Sequence, residues 1–294
     1  MILVFGTVCV DRVCRLALMP ETGGYVEAAS EVRMLGGEAA NTAYALRSWG
    51  SEVVLACNGI AQDTEGDFLR SELARRGIDP IADHILPTAR TPVCDVFVDN
   101  AGQRTMIGFG FSEMESTVDP ARLPYRGGQW FTVEPNMVQA ARTSVHLAHK
   151  AGMRIYTMDM VKEADPVPTG SYCQTSTHFA GVRGDAASNL VWVRSFVEKH
   201  DCFAILTDGA NGFVAGSREV GVRHYTSFQI DRPAVDSTGA GDLFRAGMLF
   251  GLDRGWPIEH CLRFASAAGC LACRTLGATS QVPSVQEIET VIRP

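Results

Sequence analysis

Lysine is scarce in this chain of 294 residues, which has only Lys150, Lys162 and Lys199. None of the three stands in a Gly-x-x-x-x-Gly-Lys-Ser/Thr sequence, so a P-loop nucleotide site is excluded. The other basic residues are scattered arginines, and the formal net charge is −7. A nucleic-acid-binding surface needs a basic stripe, and a membrane-surface segment needs clustered positive charge. We therefore expect neither a nucleic acid nor a membrane as a partner.

Long apolar runs and a disulfide pattern are also missing. No apolar stretch approaches the roughly 18 residues that a membrane span requires. The nine cysteines are odd in number and irregularly spaced, which does not indicate a disulfide framework. The apolar start at residues 1–6 has no basic residues before it, and Asp11 soon interrupts it, so it predicts a first strand and not a signal peptide. A reducing cytoplasm is the expected location.

Apolar segments of strand length alternate with longer amphipathic segments along most of the chain. Hydrophobic residues make up 46% of the sequence, which is enough for a large core. The predicted helices are 39–49, 64–76, 137–151, 187–199, 240–251, 258–275 and 287–292, and the predicted strands are 2–5, 52–57, 154–159, 202–207 and 227–230. This alternation predicts an α/β fold with a mostly parallel central sheet and helices on both faces.

Two segments, at about 12–34 and 91–111, break this alternation because they look extended and contain no helix. In the second segment, Asn100-Ala101-Gly102 is a turn signal between two strand-like runs. The two segments predict a small sheet that projects from the α/β body as a lid or a dimerisation surface. We expect residues 1–294 to form one domain that includes this lid.

The run Asp236-Ser237-Thr238-Gly239-Ala240-Gly241-Asp242 leads into a predicted apolar helix. Its glycines permit close backbone approach, and the amide N–H groups at a helix N-terminus form an anion site. Asp242 falls in the first turn of the helix, beside that site. The residues alone leave two interpretations open for Asp242, a helix cap or a general base that takes a proton from an attacking hydroxyl.

Three further segments carry weaker signals. Gly36-Gly37-Glu38-Ala39-Ala40-Asn41 is by itself a loop with a helix cap, although the Asn side chain offers a donor and an acceptor to a polyol. Asp11, just after the first strand, is by itself a solvated turn residue. Thr207-Asp208-Gly209-Ala210-Asn211-Gly212 contains the Asn-Gly dipeptide of a hairpin turn.

In this order and spacing, the segments resemble the two signatures of the ribokinase-like (PfkB) carbohydrate and nucleoside kinases. The resemblance runs from about residue 1 to the C-terminus. It implies a ribokinase-like three-layer α/β/α fold with a small projecting β-sheet lid. It also implies that Asp242 is the catalytic base and that the amides of Gly239, Ala240 and Gly241 form the anion hole for the transferred phosphoryl group.

The same resemblance implies the remaining site residues. The acceptor would be bound by Asp11, Gly36, Gly37 and Asn41, and ATP by Thr207, Gly209, Gly212, Thr238 and Ser266. Mg²⁺ is expected with ATP, and the loop from Gly277 to Pro283 resembles one that holds a monovalent cation such as K⁺ in several members. Arg104, in the lid, is either a solvated hairpin residue or a ligand for an anionic group of the substrate.

One motif of the family is missing. The members usually carry Asn-x-x-Glu, which organises Mg²⁺ and phosphate, and its expected place is about residues 175–184. Neither residue is present there, and only His178 or Asp185 offers a partial replacement. The metal ligands are therefore left unassigned.

Two other patterns do not indicate a metal site. Cys270-Leu271-Ala272-Cys273 lies in a predicted apolar helix without a second pair, which favours core thiols over zinc. His146 and His149 share a helix face, but no ligand-rich segment accompanies them, which favours a surface pair.

The expected function is transfer of the γ-phosphoryl group of ATP to a hydroxyl of a small sugar or sugar derivative. A nucleoside kinase of the same family is the first alternative, and aromatic side chains in the lid that face a base would favour it. A non-catalytic sugar- or nucleotide-binding protein is the second, because Asn-x-x-Glu is missing. The family also implies a homodimer formed through the lid.

Overall fold

The computed structural model describes residues 1–83, 85–100, 102, 104–182, 185–228 and 234–293. The strands in this part of the chain are β1 (Ile2–Gly6), β2 (Cys9–Arg15), β3 (Ser30–Gly36), β4 (Val53–Cys57), β5 (Val93–Val98), β6 (Arg104–Phe109), β7 (Trp130–Val133), β8 (Arg154–Met158), β9 (Tyr172–Ser176), β10 (Phe203–Thr207), β11 (Phe213–Ser217) and β12 (Gly221–Tyr225). The α-helices are α1 (Glu38–Ser48), α2 (Thr64–Arg75), α3 (Val138–Lys150), α4 (Ala186–His200), α5 (Ala240–Asp253), α6 (Ile258–Ala272) and α7 (Val285–Ile292).

The central sheet has eight strands in the order β12-β11-β10-β9-β8-β7-β1-β4. The six neighbouring strands β4, β1, β7, β8, β9 and β10 are parallel to one another. Strands β11 and β12 add an antiparallel edge beside β10. Successive side chains of a strand point to opposite faces. In β1, Ile2 and Val4 pack with α1, α5 and α6, whereas Leu3 and Phe5 pack with α3. Helices therefore cover both faces, and the predicted three-layer α/β fold is confirmed.

The second sheet has the order β3-β2-β5-β6, and we call it the lid. Strands β2 and β5 are parallel, and the other two pairs are antiparallel. Its buried apolar cluster is small, with Val13, Val96 and Val98 as the buried members, and Leu276 packs against it. The predicted small projecting sheet is thus present, although β2 begins at Cys9, three residues earlier than the predicted segment.

All seven predicted helices are present, and most of their ends lie within two residues of the prediction. Gly77 and Gly152 follow α2 and α3 with φ of 66° and 75°, a conformation that glycine adopts without strain. The hairpin turn is also present, since Thr207 pairs with Phe213 across antiparallel strands.

The strand β11 was implied only by the hairpin turn at 207–212, and the strands β7, β9 and β12 have no counterpart among the predictions. β7 is only four residues long, β9 reads Tyr-Cys-Gln-Thr-Ser, and β12 is an edge strand with Arg223 and His224 exposed, so none has a clear strand pattern. The predicted strand at 227–230 differs from the structure, where Ser227 and Phe228 are irregular and residues 229–230 lie outside the described part.

Within the described ranges, no helix is both long enough and apolar enough to cross a membrane. The organisation of residues 1–294 as one domain stays a prediction. It is favoured by the small apolar cluster of the lid, against which Leu276 packs from outside the lid.

We expect thermal unfolding to show one cooperative transition, with the same midpoint by far-UV and near-UV circular dichroism. The physical reason is that three buried valines are too small a core for the lid to remain folded alone. Two separate transitions, the first of which removes only strand signal, would contradict a single domain.

Candidate active site

The two sequence motifs meet where α1 and α5 begin. Asn41 lies in the first turn of α1 and Asp242 in the first turn of α5. The Asn41 side-chain amide Nδ2 donates a hydrogen bond of 2.7 Å to Asp242 Oδ2. Thr42 Oγ1 lies 3.5 Å from the backbone carbonyl oxygen of Asp242, and Gln174 of β9 donates from Nε2 to the Gly241 carbonyl oxygen at 2.9 Å. The structure therefore brings both motifs to the same end of the central sheet.

Two glycines are required at these helix starts. Gly239 precedes α5 with φ 78°, and a Cβ atom there would lie 2.2 Å from the Cβ of Ala278. Gly37 precedes α1 with φ 96°, and its Cβ would lie 2.3 Å from the carbonyl oxygen of Thr7. Both positions combine a left-handed φ with a close approach of neighbouring atoms, which only glycine permits.

The Asp242 carboxyl is only 4% exposed, and Oδ1 has no hydrogen-bond partner. Burial raises the pKa of Asp242 to about 6, against the opposing effects of Arg245 and of the hydrogen bond from Asn41. The carboxyls of Glu134 and Asp159 raise the pKa further. A carboxyl with this pKa is mostly ionised at neutral pH and is suited to accept a proton.

Asp11 lies in β2 of the lid, beside Gly36 of β3. A Cβ on Gly36 would lie 2.1 Å from the Asp11 carboxyl carbon, so glycine leaves the space that this side chain occupies. Cys9 Sγ donates to Asp11 Oδ1 at 3.3 Å. Burial raises the pKa of Asp11 to about 7, with smaller contributions of the same sign from Asp242 and Asp236. Asp11 is thus buried close to Asp242, as an acceptor-binding residue would be.

Asp236 holds the loop that precedes α5. Its Oδ1 accepts hydrogen bonds from the amide and the hydroxyl of Thr238, at 2.9 and 2.7 Å, and its Oδ2 accepts from the Gly277 amide at 2.8 Å. The side chain is 1% exposed. Both donors of Thr238, a predicted ATP ligand, are therefore directed at Asp236 in this structure. The same carboxylate ties the loop to the segment that begins at Gly277.

Arg104, at the start of β6, reaches from the lid towards this loop. Its Nη1 donates to Ser237 Oγ at 3.4 Å, and its positive charge lowers the pKa of Asp11. The residue is otherwise exposed. Both interpretations of Arg104, a solvated hairpin residue and a ligand for an anionic group, stay predictions.

A cavity of about 540 Å³ is lined in part by Ala240 and Gly241 of the Gly239–Asp242 turn. Thr207, Gly209, Gly212 and Ser266 all line it, so the structure brings together four of the five residues predicted to bind ATP. Three aromatic side chains, Phe213, Phe228 and Phe244, also line it. A cavity with aromatic walls suits a flat base.

The segment that replaces Asn-x-x-Glu provides no direct substitute among its described residues. Asp185 caps α4 by accepting from the Ser188 amide at 3.0 Å, and residues 183–184 lie outside the described part. Asp159, with φ 57°, instead accepts from Thr175 Oγ1 at 2.7 Å. Across the described residues, no three Asp, Glu, His or Cys side chains are arranged to hold a metal ion.

Two site residues, Glu134 and Arg245, were not predicted from the sequence. Glu134 follows β7, is fully buried, and accepts hydrogen bonds from the amides of Thr7 and Asn136. Its signal was a carboxylate directly after an apolar strand. Arg245 is fully buried within α5. Its signal was a single charge inside the otherwise apolar segment from Leu243 to Leu252.

A second cavity, of about 510 Å³, lies elsewhere on the central sheet. It is lined by Trp130, Arg154, Tyr172 and Trp256, among others. It contains none of the predicted site residues and none of the buried carboxylates.

A parallel sheet covered by helices, a cavity with aromatic walls and a buried carboxylate beside a glycine-rich helix start are features expected of a nucleotide-dependent transferase. Comparison with known families identifies it further. The pfkB family of carbohydrate kinases matches residues 1–164 and 176–285. The chain belongs to this family, which makes it a phosphotransferase with an alcohol group as acceptor.

Individual relatives cover almost the whole chain. An uncharacterised sugar kinase of Dictyostelium discoideum is 26% identical over 99% of this chain and 96% of its own length. The acarbose 7(IV)-phosphotransferase of an Actinoplanes strain is 30% identical over 95% of this chain and 93% of its own. The structure of ribokinase from Giardia lamblia superposes with a TM-score of 0.82 at 18% identity, covering 98% of both chains, which shows the shared fold.

The left-handed φ of Gly239 and its close approach to Ala278 can be separated by substitution. We expect Gly239→Ala to lower the free energy of unfolding by more than about 1–2 kcal/mol, the usual cost of a left-handed non-glycine residue, because the new Cβ also meets Ala278. Gly221→Ala is the matched control, since Gly221 has φ 75° and nothing within 4 Å of an added Cβ. Urea unfolding measures both. Equal losses would show that the contact with Ala278 has no cost.

Proposed function

We propose that this protein transfers the γ-phosphoryl group of ATP to a hydroxyl of a small sugar or sugar derivative, with Asp242 as the general base. The observation that carries the proposal is the 2.7 Å hydrogen bond between Asn41 and Asp242. It places the acceptor-side motif and the glycine-rich helix start at one point. A hydroxyl bound beside Asn41 would therefore be close to both the base and the anion site.

The acceptor would be bound by polar groups on the lid side of Asp242. Asp11 is held between Gly36 and Cys9, and the carbonyl oxygen Oδ1 of Asn41 is buried without a partner. Gly37 brings the backbone close enough for its amide to contact a ligand. Buried polar atoms without partners are costly in a folded protein unless a ligand satisfies them. Oδ1 of Asn41 is such an atom, and a sugar hydroxyl supplies the donor it lacks.

Asp242 would remove the proton of the attacking hydroxyl through Oδ1, the oxygen that Asn41 does not use. The amides from Gly239 to Asp242, at the start of α5, would bind the oxygens of the transferred phosphoryl group. Catalysis of this kind rests on positioning and electrostatic stabilisation more than on covalent chemistry.

ATP would occupy the cavity lined by Thr207, Gly209, Gly212 and Ser266, with its base between the aromatic walls. Thr238 would contribute to ATP binding indirectly, because its hydrogen bonds to Asp236 fix the loop before α5. Bound Mg²⁺ neutralises phosphate charge and is usually held by the phosphates, water and one or two carboxylates. The carboxylates that would complete the coordination of Mg²⁺ stay unassigned, since both oxygens of the buried Glu134 already accept backbone amides. K⁺ at the loop from Gly277 stays a prediction.

The lid favours a sugar over a nucleoside. Strand pairing places Met34, Asp11, Cys94 and Gly108 in one row across the four strands. In the adjacent row on the same face, Val13 lies with other aliphatic residues. In these two rows of the described strands, the face that carries Asp11 therefore has no aromatic side chain to stack on a base.

A nucleoside acceptor remains the second candidate because of Phe111. The ring of Phe111 lies 2.9 Å from the position of an added Cβ on Gly108, on the face that carries Asp11. An aromatic ring at this edge of the lid offers a stacking surface to a base or another flat group.

We expect Asp242→Asn to lower kcat by roughly two to four orders of magnitude with ATP and a sugar acceptor, since the general base is lost. A coupled ADP-release assay measures this, after a thermal-shift screen of sugars and nucleosides has identified a ligand. Asp119→Asn, which changes an exposed carboxylate at a short 3-10 helix, is the control and should retain full turnover.

Near-wild-type turnover of the Asp242→Asn protein would contradict the role of the base. Binding of sugars and ATP by the wild-type protein without any turnover, at adequate Mg²⁺, would instead favour the non-catalytic binding protein.

The two acceptor classes can be distinguished with Phe111→Ala. If a nucleoside is the acceptor, loss of stacking raises its KM by roughly 5- to 150-fold, because base–aromatic stacking contributes ~1–3 kcal/mol. For a sugar acceptor we expect a change of less than about threefold, since no stacking is lost. Steady-state kinetics with each acceptor, on the same protein preparation, decides between them. A large effect on sugar KM would contradict the proposed acceptor position.

A homodimer formed through the lid also stays a prediction, favoured by the exposed apolar side chains of Val32, Met106 and Ile107 on the lid strands. The cytoplasm stays the predicted location.

A further inference from the structure

Arg245 is an arginine with no exposed surface, one helical turn after Asp242 on α5. Burial of a guanidinium is costly unless charges and hydrogen bonds compensate for the lost water. Every other residue of α5 from Leu243 to Phe250 is also buried, so packing alone would favour an apolar side chain at this position. The charge at Arg245 therefore calls for a reason beyond packing.

The guanidinium connects α5 to the start of α1. Nε donates to Thr42 Oγ1 at 2.9 Å, and Nη2 donates to the Glu38 carbonyl oxygen at 2.6 Å. Nη2 also lies 3.7 Å from Asp242 Oδ1, the oxygen proposed to accept the proton. Thr42 and Asn41 are α1 residues that contact Asp242. Arg245 therefore fixes the first turn of α1, which in turn contacts the proposed base.

Carboxyl groups surround this point from several elements. Glu38 at the start of α1, Asp11 of β2, Glu134 after β7 and Asp159 after β8 all interact electrostatically with Asp242. Arg245 is the cation that opposes them most strongly at Asp242, and it also opposes the raised pKa values of Glu38 and Asp159. Arg104 acts on Asp11, further out in the lid.

We propose that Arg245 is a positioning residue that keeps Asp242 ionised and aligned within this group of carboxyls, so that the base works at neutral pH. The proposal rests on the proposed function of Asp242. It assigns to Arg245 a role towards the base and not towards the substrate, since its contacts are to Glu38, Thr42 and Asp242.

The sign of the effect follows from the charges. A general base must be ionised, so kcat/KM falls as the pH drops through its pKa. Burial raises the pKa of Asp242 to about 6, and Arg245 opposes this rise. Loss of the guanidinium raises the pKa further, and the acidic limb of the pH profile moves to higher pH.

The test compares the pH dependence of kcat/KM in wild-type, Arg245→Gln, Arg245→Lys and Arg254→Gln proteins. We expect the acidic limb of Arg245→Gln to move up by at least about one pH unit, since a nearby opposite charge is lost. With a shift of about one unit from a pKa of about 6, kcat/KM at about pH 6 falls about fivefold, and most of the loss disappears by about pH 8.5. Arg245→Lys retains the charge but not the fork of donors, so its limb should move less while kcat falls at all pH values.

Arg254→Gln is the matched control for a structural effect. Arg254 follows the end of the same helix, and its Nη1 donates to Ser51 Oγ at 3.3 Å, just after α1 ends, far along both helices from Asp242. Its loss should lower the melting temperature without moving the acidic limb. If Arg245→Gln lowers activity equally at all pH values, with the wild-type limb unchanged, the proposal is wrong and Arg245 is only structural.

A second measurement does not depend on turnover. A carboxyl whose pKa is higher in the folded than in the unfolded protein destabilises the fold increasingly as the pH rises through the interval between the two values. Arg245→Gln widens this interval for Asp242, so its melting temperature should fall more steeply than that of the wild type between about pH 6 and 8. The additional slope should shrink when Asp242→Asn is combined with Arg245→Gln. If the double variant shows the same extra fall of melting temperature with pH, relative to the wild type, as Arg245→Gln alone, the effect does not arise from Asp242 and the proposal is wrong.

Discussion

The hydrogen bond between Asn41 and Asp242 is the contact on which the rest of the site depends. It joins residues 201 positions apart in the sequence, and it requires the first turns of α1 and α5 to lie side by side. Large side chains would hold these helices apart. The residues around this contact are buried, and small ones such as Ala39, Ala40, Ala43 and Ala246 are common among them.

The same constraint extends to α6, which also packs against α5. A Cβ on Gly247 would lie 2.7 Å from the Ala265 Cα, and one on Gly269 would lie 2.8 Å from the Ala240 carbonyl oxygen. Close packing here places Ser266 of α6 and the start of α5 in the wall of one cavity. The position of the base and the shape of the proposed ATP site are thus set by the same helix contacts.

Short-range patterns in the sequence were sufficient for the α/β class and its helices, whereas the roles of the site residues came from the resemblance to the ribokinase-like kinases. Helix periodicity predicted α1 to α7, and the glycine-rich run from Asp236 predicted an anion site at a helix start. Gly239 and Gly37 could be predicted because their need for a left-handed φ is local. The residues that the sequence did not reveal, Glu134 and Arg245, act through partners more than 100 residues away. Their roles depend on which strands and helices are neighbours, and local pattern does not contain that information.

The proposed acceptor site and the proposed nucleotide site rest on very different amounts of apolar packing. The proposed nucleotide site lies against the central sheet and two long helices, whereas Asp11 lies on a sheet whose buried apolar cluster has only three members. Yet Asp11 carries a pKa of about 7, raised by burial and, to a lesser extent, by Asp242 and Asp236 of the body. If Asp11 binds the acceptor as proposed, a hydroxyl donor would offset the cost of burying the Asp11 charge, and recognition of the acceptor would be linked to the ionisation of Asp11.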